Sequence, residues 1–214
     1  MKLVYMRHLE CRAERRGGSN PPSPTYYLIE RTSMDDFPWE ILAKSEMFTK
    51  HEDVSLPSWD EQFMGHALLA ARRSPDSQTK VGAVLVEPVG KTILTTGYNG
   101  YVRGARDYAL PNVRPDKYLW MIHAEHNAIL NCARLGRATL NSVCYCTHRP
   151  CKYCIQYLYQ CGIKEVVIIA GARTNLDKDN DIFYRQFQYI TYGNGPKIRE
   201  IKVPDSLLTV INGV

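Results

Sequence analysis

His123-Ala124-Glu125 and Pro150-Cys151-Lys152-Tyr153-Cys154, with 24 residues between Glu125 and Pro150, each stand where a helix is expected to begin. A histidine and two cysteines offer three ligands to one zinc ion and leave a fourth position for water. That is the pattern of a catalytic site, since structural sites close with a fourth protein ligand. Cys151 and Cys154 are three residues apart, which on a helix puts both sulfurs on one face. Pro150 places them in the first turn, where unpaired N–H groups and the positive dipole end favour thiolate over thiol. His123 opens the preceding helix, so two helix N-termini are expected to converge on one ion. No second Cys-x-x-Cys exists to complete a four-cysteine knot. Cys144 and Cys146 fall in a strand and read as packed core.

Outward from these clusters the pattern alternates. Ser58 and Glu61 form a capping box ahead of Phe63, Ala67 and Ala70, which predicts a helix over 59–72. Strands are predicted over 79–86 and 92–98, then a long loop over 99–121. Ala128, Ile129, Cys132 and Leu135 follow at helical spacing, predicting a helix over 124–135 that Gly136 ends. A strand over 142–146, a helix over 151–161, a β-branched strand over 164–170, a helix over 179–188 and a last strand over 197–203 complete the order αββαβαβαβ. This is an α/β fold with a mixed sheet flanked by helices.

At 214 residues and 44% hydrophobic content, the chain suits one domain with an appendage. The expected division is an N-terminal extension over 1–57, largely disordered, a folded domain over 58–206, and a C-terminal tail over 207–214. The run Arg15-Arg16-Gly17-Gly18-Ser19-Asn20-Pro21-Pro22-Ser23-Pro24 has neither helical nor strand period. Gly18-Ser19-Asn20-Pro21 is what one frame of a transfer-RNA T-arm encodes, which puts the expected start at Met34 and makes 1–33 non-native. Pro38, after Asp35 and Asp36, suits the first position of a short helix.

The net charge of +5 is uneven: residues 1–33 hold six Lys/Arg against three Glu, and the remainder 21 basic against 19 acidic groups. A grip on nucleic acid needs a basic stripe, and the body shows none. No run of about 18 apolar residues suggests a membrane span. Seven cysteines are an odd number. With a Cys-x-x-Cys pair and a separate histidine they read as metal in a reducing, cytoplasmic compartment rather than a disulfide framework.

In order, H-x-E and P-C-x-x-C form the signature of zinc-dependent nucleobase deaminases, in which a glutamate that is not a ligand carries protons. Glu125 takes that role here, moving a proton from metal-activated water to the ring and then to the departing amine. First-turn N–H groups near Cys151 suit the developing oxyanion.

The resemblance then narrows. Gly97-Tyr98-Asn99-Gly100-Tyr101-Val102-Arg103-Gly104 resembles the GYNG-x-P-R-G loop of deoxycytidylate (dCMP) deaminases. Arg114 to Ile129 is similar to that family's RP-x-KY-x-W-x-x-HAE-x-NAI segment, and Thr79, Val81 and Gly82 to its first strand. Tyr145, Thr147 and the P-C-x-x-C complete a match over roughly 58–172. The resemblance implies a three-layer αβα sandwich of cytidine-deaminase type with a five-stranded sheet, one Zn²⁺ per chain on His123, Cys151 and Cys154, Glu125 as acid/base, and conversion of dCMP to dUMP for thymidylate synthesis. It also implies Asn99 and Ala124 at the substrate, and a homo-oligomer, commonly a hexamer, regulated by dCTP and dTTP. The long loop suits a nucleotide lid. A 5′-phosphate needs cationic or hydroxyl donors, and Arg103, Arg106, Arg114, Lys117 and Tyr118 are the candidates; Trp120 reads as core. Val102 stands where the family has proline, and Ala105-Arg106-Asp107 where it often has x-Asp-Asp. The rival substrates are an adenosine in tRNA, disfavoured by the near-neutral body and the 99–121 insertion, and another cytosine nucleotide such as dCTP. A free-nucleoside cytidine deaminase would carry cysteine in place of His123, and a riboflavin-pathway enzyme would add a reductase domain. A catalytically dead zinc-binding subunit would not need Glu125. The expected partner is a small deoxynucleotide.

Overall fold

The computed structural model describes residues 56–172 and 177–212. The expected Met34 start, the helix after Asp36 and most of the 1–57 extension lie outside the described residues. Elements follow in the order α1 (Trp59–Ala71), β1 (Gly82–Glu87), β2 (Thr92–Tyr98), α2 (Ala124–Leu135), β3 (Val143–Cys146), α3 (Lys152–Gln160), β4 (Glu165–Ile169), α4 (Asp177–Ile190), β5 (Lys197–Ile201) and α5 (Asp205–Asn212). Short 3₁₀ turns at Asp107–Ala109 and Asp116–Leu119 punctuate the 99–121 loop.

The five strands form one sheet in the order β2-β1-β3-β4-β5. β1 runs antiparallel to β2 and β3, and β3, β4 and β5 run parallel. The mixed, helix-flanked sheet read from the sequence is therefore the one observed. β1 is buried on both faces and sorts its side chains by period two. Ala83 and Leu85 join Ala128 and Cys132 of α2, Ile155 and Leu158 of α3, and Tyr184 of α4 in one core. Val84 and Val86 join Phe63, Met64 and Leu68 of α1 in the other, with Leu207 of α5 against it. The result is helices on both faces of the sheet, an αβα sandwich. Cys144 and Cys146 are fully buried in the first core, as expected.

The helix ends follow their local chemistry. Ser58 Oγ accepts from Glu61 N–H at 3.2 Å while Glu61 Oε2 accepts from Ser58 N–H at 2.7 Å, completing the capping box. Gly136 ends α2 at φ 63°, a left-handed conformation that costs glycine nothing. Asp60 of α1 accepts from Tyr145 Oη at 2.7 Å and pairs with Arg199 of β5, fastening that helix across the sheet. β2 is an edge strand, and α2 with the residue after its Gly136 stop covers two of its carbonyls: Asn131 Nδ2 donates to Thr96 O at 3.0 Å and Arg137 to Leu94 O. α5 is an addition to the sequence reading, which ended the folded domain at 206. Its segment lacks a long periodic signal, and its packing on α1 at Gly65 is a tertiary effect. No helix among the described residues is long and apolar enough to cross a membrane.

Candidate metal centre

β2, β3 and the helices that follow deliver the site. His123 is the N-cap of α2 and Cys151 the N-cap of α3, both in extended backbone, and no side chain caps either helix. The first-turn N–H groups and positive dipole ends are thus left for whatever anion or thiolate lies there. His123 Nδ1 stands 3.4 Å from Cys154 Sγ and 3.6 Å from Cys151 Sγ. The three ligand atoms all lie within 4.8 Å of one another. His123 is exposed, Cys151 half-buried and Cys154 buried, so the triad is open on its histidine side.

Charge within the triad is uneven. The hydrogen bond from the Cys154 thiol, with that from His123, pulls Cys151 down to about 4 against the opposing effect of burial. The same contact with Cys151, together with burial, pushes Cys154 up. His123 is raised, first by its hydrogen bond to Cys151. A soft S₂N donor set clustered in this way suits a cation such as Zn²⁺.

Glu125 sits in the first turn of α2, 4% exposed, and is not one of the clustered ligands. Burial pushes its carboxyl upward, against the pull of the nearby His123. A carboxyl that holds its proton more readily than usual suits a proton carrier near neutral pH.

The structure redistributes the loop residues. Arg114, Tyr118 and Thr79 come together: Arg114 Nε donates to Tyr118 Oη at 2.7 Å and its Nη2 to Thr79 Oγ1 at 2.8 Å. Arg103 instead donates to Asn131 on α2 at 3.2 Å, and Arg106 is exposed. Lys117, expected as a cation for phosphate, is corrected. It is 3% exposed and donates to both oxygens of Asp76 at 2.7 and 2.6 Å. A buried lysine already paired with a carboxylate has no charge to offer a second anion. Trp120, expected in the core, is half exposed. It follows the second 3₁₀ turn in the loop and belongs to neither buried core cluster of the described residues. Ala124 is fully buried, its carbonyl against Gly97. Asn99 is buried with its amide engaged by Asp76, Thr79 and Val81.

One group was not read from the sequence. Tyr184 Oη of α4 donates to the Pro150 carbonyl, and the Arg149 guanidinium lies 4.6 Å over the Tyr184 ring while pairing with Asp181 at 2.7 Å. These side chains grip the backbone immediately ahead of Cys151. No local signal ties 149–150 to Asp181 and Tyr184, more than 30 residues downstream.

The family model for the cytidine and deoxycytidylate deaminase zinc-binding region matches residues 57–170. The deoxycytidylate deaminase of Schizosaccharomyces pombe is 39% identical over 140 residues, 60% of this chain and 42% of that protein. The chain therefore spans less than half the length of that relative. The Homo sapiens deoxycytidylate deaminase is 37% identical over 140 residues, 63% of this chain and 76% of that protein. Among solved structures, a dCMP deaminase from the cyanophage S-TIM5, in complex with dCMP and dUMP, superposes with a TM-score of 0.55 at 25% identity, covering 69% of this chain and all of that one.

Proposed function

We propose that this chain, which belongs to the cytidine and deoxycytidylate deaminase family, hydrolyses dCMP to dUMP and ammonia. The observation that carries the proposal is the convergence of His123, Cys151 and Cys154 within 4.8 Å, with buried Glu125 two residues from the histidine. These three residues would hold one Zn²⁺, which when bound lowers the pKa of a water from 15.7 to about 7. Glu125 accepts a proton from the attacking water and delivers it to ring N3. The C4 amine then leaves as ammonia with a further proton relayed by the same carboxyl. First-turn N–H groups of α3 face the oxygen gained at C4.

Arg114 and Tyr118, with Thr79, supply the cation and hydroxyls that a 5′-phosphate needs. Lys117 is withdrawn from that role by Asp76. Two deoxycytidylate deaminases among the relatives, and a structural neighbour holding dCMP and dUMP, support the monophosphate as substrate. The reading extends to a cytoplasmic enzyme that assembles as a homo-oligomer and responds to dCTP and dTTP; all six described cysteines are free thiols, in keeping with a reducing compartment.

The test is ammonia release from dCMP, dCTP, CMP, deoxycytidine and an anticodon stem-loop, each with and without dTTP. The highest kcat/KM is expected with dCMP. Preference for dCTP or for the stem-loop would replace the proposal with a different deaminase, and inertness toward all of them would end it.

A further inference from the structure

The metal centre draws its ligands from two helices. Cys151 and Cys154 both belong to the start of α3, whereas His123 belongs to α2. The distances of 3.6 and 3.4 Å from His123 Nδ1 to the two sulfurs are therefore set by how the first turns of α2 and α3 lie against each other. Toward the sheet, that placement is held by core packing, in which Ala128 and Ile129 of α2 join Ile155 and Leu158 of α3. Nearer solvent, two rings meet across the groove between the helices. His126 stacks on Tyr157, with centroids 4.1 Å apart and planes 20° from parallel. Such a ring pair holds its elements together by more than the area it buries.

Each ring stands close to a ligand. His126 comes three residues after His123, and Tyr157 three after Cys154, a spacing that puts neighbours on one face of a helix. The stack thus bridges α2 and α3 about one turn below the triad. It lies outside the buried core, since Tyr157 is 43% exposed and His126 half-buried. Removing a ring there leaves no enclosed cavity, so the fold does not depend on it as it depends on Ile155 or Leu158. Neither residue belongs to the H-x-E or P-C-x-x-C signature.

We infer that His126 and Tyr157 are positioning residues: their stacked rings lock α2 to α3 and so keep the His123 imidazole in register with the two sulfurs whether or not a metal is bound. Neither is among the clustered ligands, and both act through their neighbours, His123 and Cys154. The inference rests on the metal-binding part of the proposed function and is independent of which nucleotide is the substrate.

The test is a double-mutant cycle on metal affinity. His126→Leu, Tyr157→Leu and the double variant lose the stack and keep apolar bulk, whereas Tyr157→Phe keeps the stack and loses only the hydroxyl. Zn²⁺ affinity is measured by chelator competition well below the melting temperature of each protein, and Co²⁺ substituted into each reports ligand geometry through its visible absorption. Each single Leu variant is expected to bind Zn²⁺ about tenfold more weakly, the upper end of what a stacked pair contributes. The double variant is expected to lose no more than either single one, because the two rings act as a unit. Tyr157→Phe is expected to match wild type in affinity and in its Co²⁺ bands, and the Leu variants to show shifted bands. A stack that merely braces the fold would lower the melting temperature of the metal-free protein and leave Zn²⁺ affinity and Co²⁺ bands unchanged, which would overturn the inference. Losses that add in the double variant, or a Tyr157→Phe as weak as Tyr157→Leu, would overturn it too. Each of these results leaves the proposed activity standing, whereas a wild type that binds no Zn²⁺ would bring down both.

Discussion

Gly97 of β2 lies so close beneath α2 that a Cβ added to it would stand 2.3 Å from the Ala124 carbonyl oxygen and 2.4 Å from Ala128 N. The helix that presents His123 and Glu125 therefore rests directly on strand backbone. Gly82 makes the same approach on the other face, where an added Cβ would meet the Ala67 carbonyl oxygen at 1.9 Å in α1. Both substitutions to alanine overpack the core, at about 1–3 kcal/mol each. Gly97→Ala pushes on the helix that carries the metal ligand, and Gly82→Ala pushes on a helix that does not. Thermal melts should fall for both, while zinc affinity, measured by chelator competition, should weaken only for Gly97→Ala.

His123, Cys151 and Cys154 face one another with no fourth protein ligand among the clustered groups. A metal bound to the folded state alone stabilises it by mass action, by about 4.1 kcal/mol at a thousand times its Kd. Stripping the protein with a chelator should lower the melting temperature and abolish ammonia release, and adding back Zn²⁺ should restore both. Elemental analysis should give one zinc per chain. Unchanged melting and turnover after complete removal would refute the site.

The parts of this architecture that were legible in the sequence are those set by neighbours a few residues away. The Ser58–Glu61 box, the Gly136 stop and the paired helix starts at His123 and Cys151 each depend on contacts within one or two turns. The apolar run of β1 is local in the same sense. What was not legible depends on distant partners. Lys117 lies buried because Asp76, 41 residues earlier, meets it. Asn99 is saturated by groups from the 74–81 segment. Trp120 is exposed because its loop passes outside both cores, which an aromatic in an apolar stretch does not announce.

Glu125 is buried, raised by that burial, and outside the ligand cluster. Glu125→Gln keeps the side chain's volume and removes its ability to carry a proton. Zinc content and melting temperature should match wild type, and kcat should fall by roughly 10²–10⁴-fold, the span typical of a lost general acid–base. Loss of metal in this variant would instead make the glutamate part of the coordination.

Tyr184 holds the Pro150 carbonyl from α4, one residue ahead of the N-cap cysteine. Tyr184→Phe deletes that hydrogen bond and keeps the ring that stacks under Arg149 and packs in the core. The fold should lose about 1 kcal/mol. Zinc affinity should drop by about tenfold, the lower end for a group that orients a ligand through its neighbour. Competition with a chelator measures the affinity, and denaturant melts the stability. An unaltered zinc affinity would mean that α4 merely covers the site.

Asp76 also sets a pH dependence whose sign is fixed. Burial pushes its carboxyl upward, but the hydrogen bonds from Lys117, Gln78 and Thr79 prevail and hold it below the ordinary value of 3.8. A carboxyl lowered in the folded state stabilises the fold above its unfolded pKa and loses that contribution as pH falls through the folded one. Protonation would also leave the Lys117 charge buried without its partner. Asp76→Asn/Lys117→Met has neither group to titrate. Whatever gap separates the melting temperatures of wild type and variant at pH 7, it should shift in the variant's favour as pH falls below about 3.8. The metal centre titrates in both proteins, so its contribution cancels in the difference. A gap independent of pH would show that Asp76 is not ionised in the folded protein.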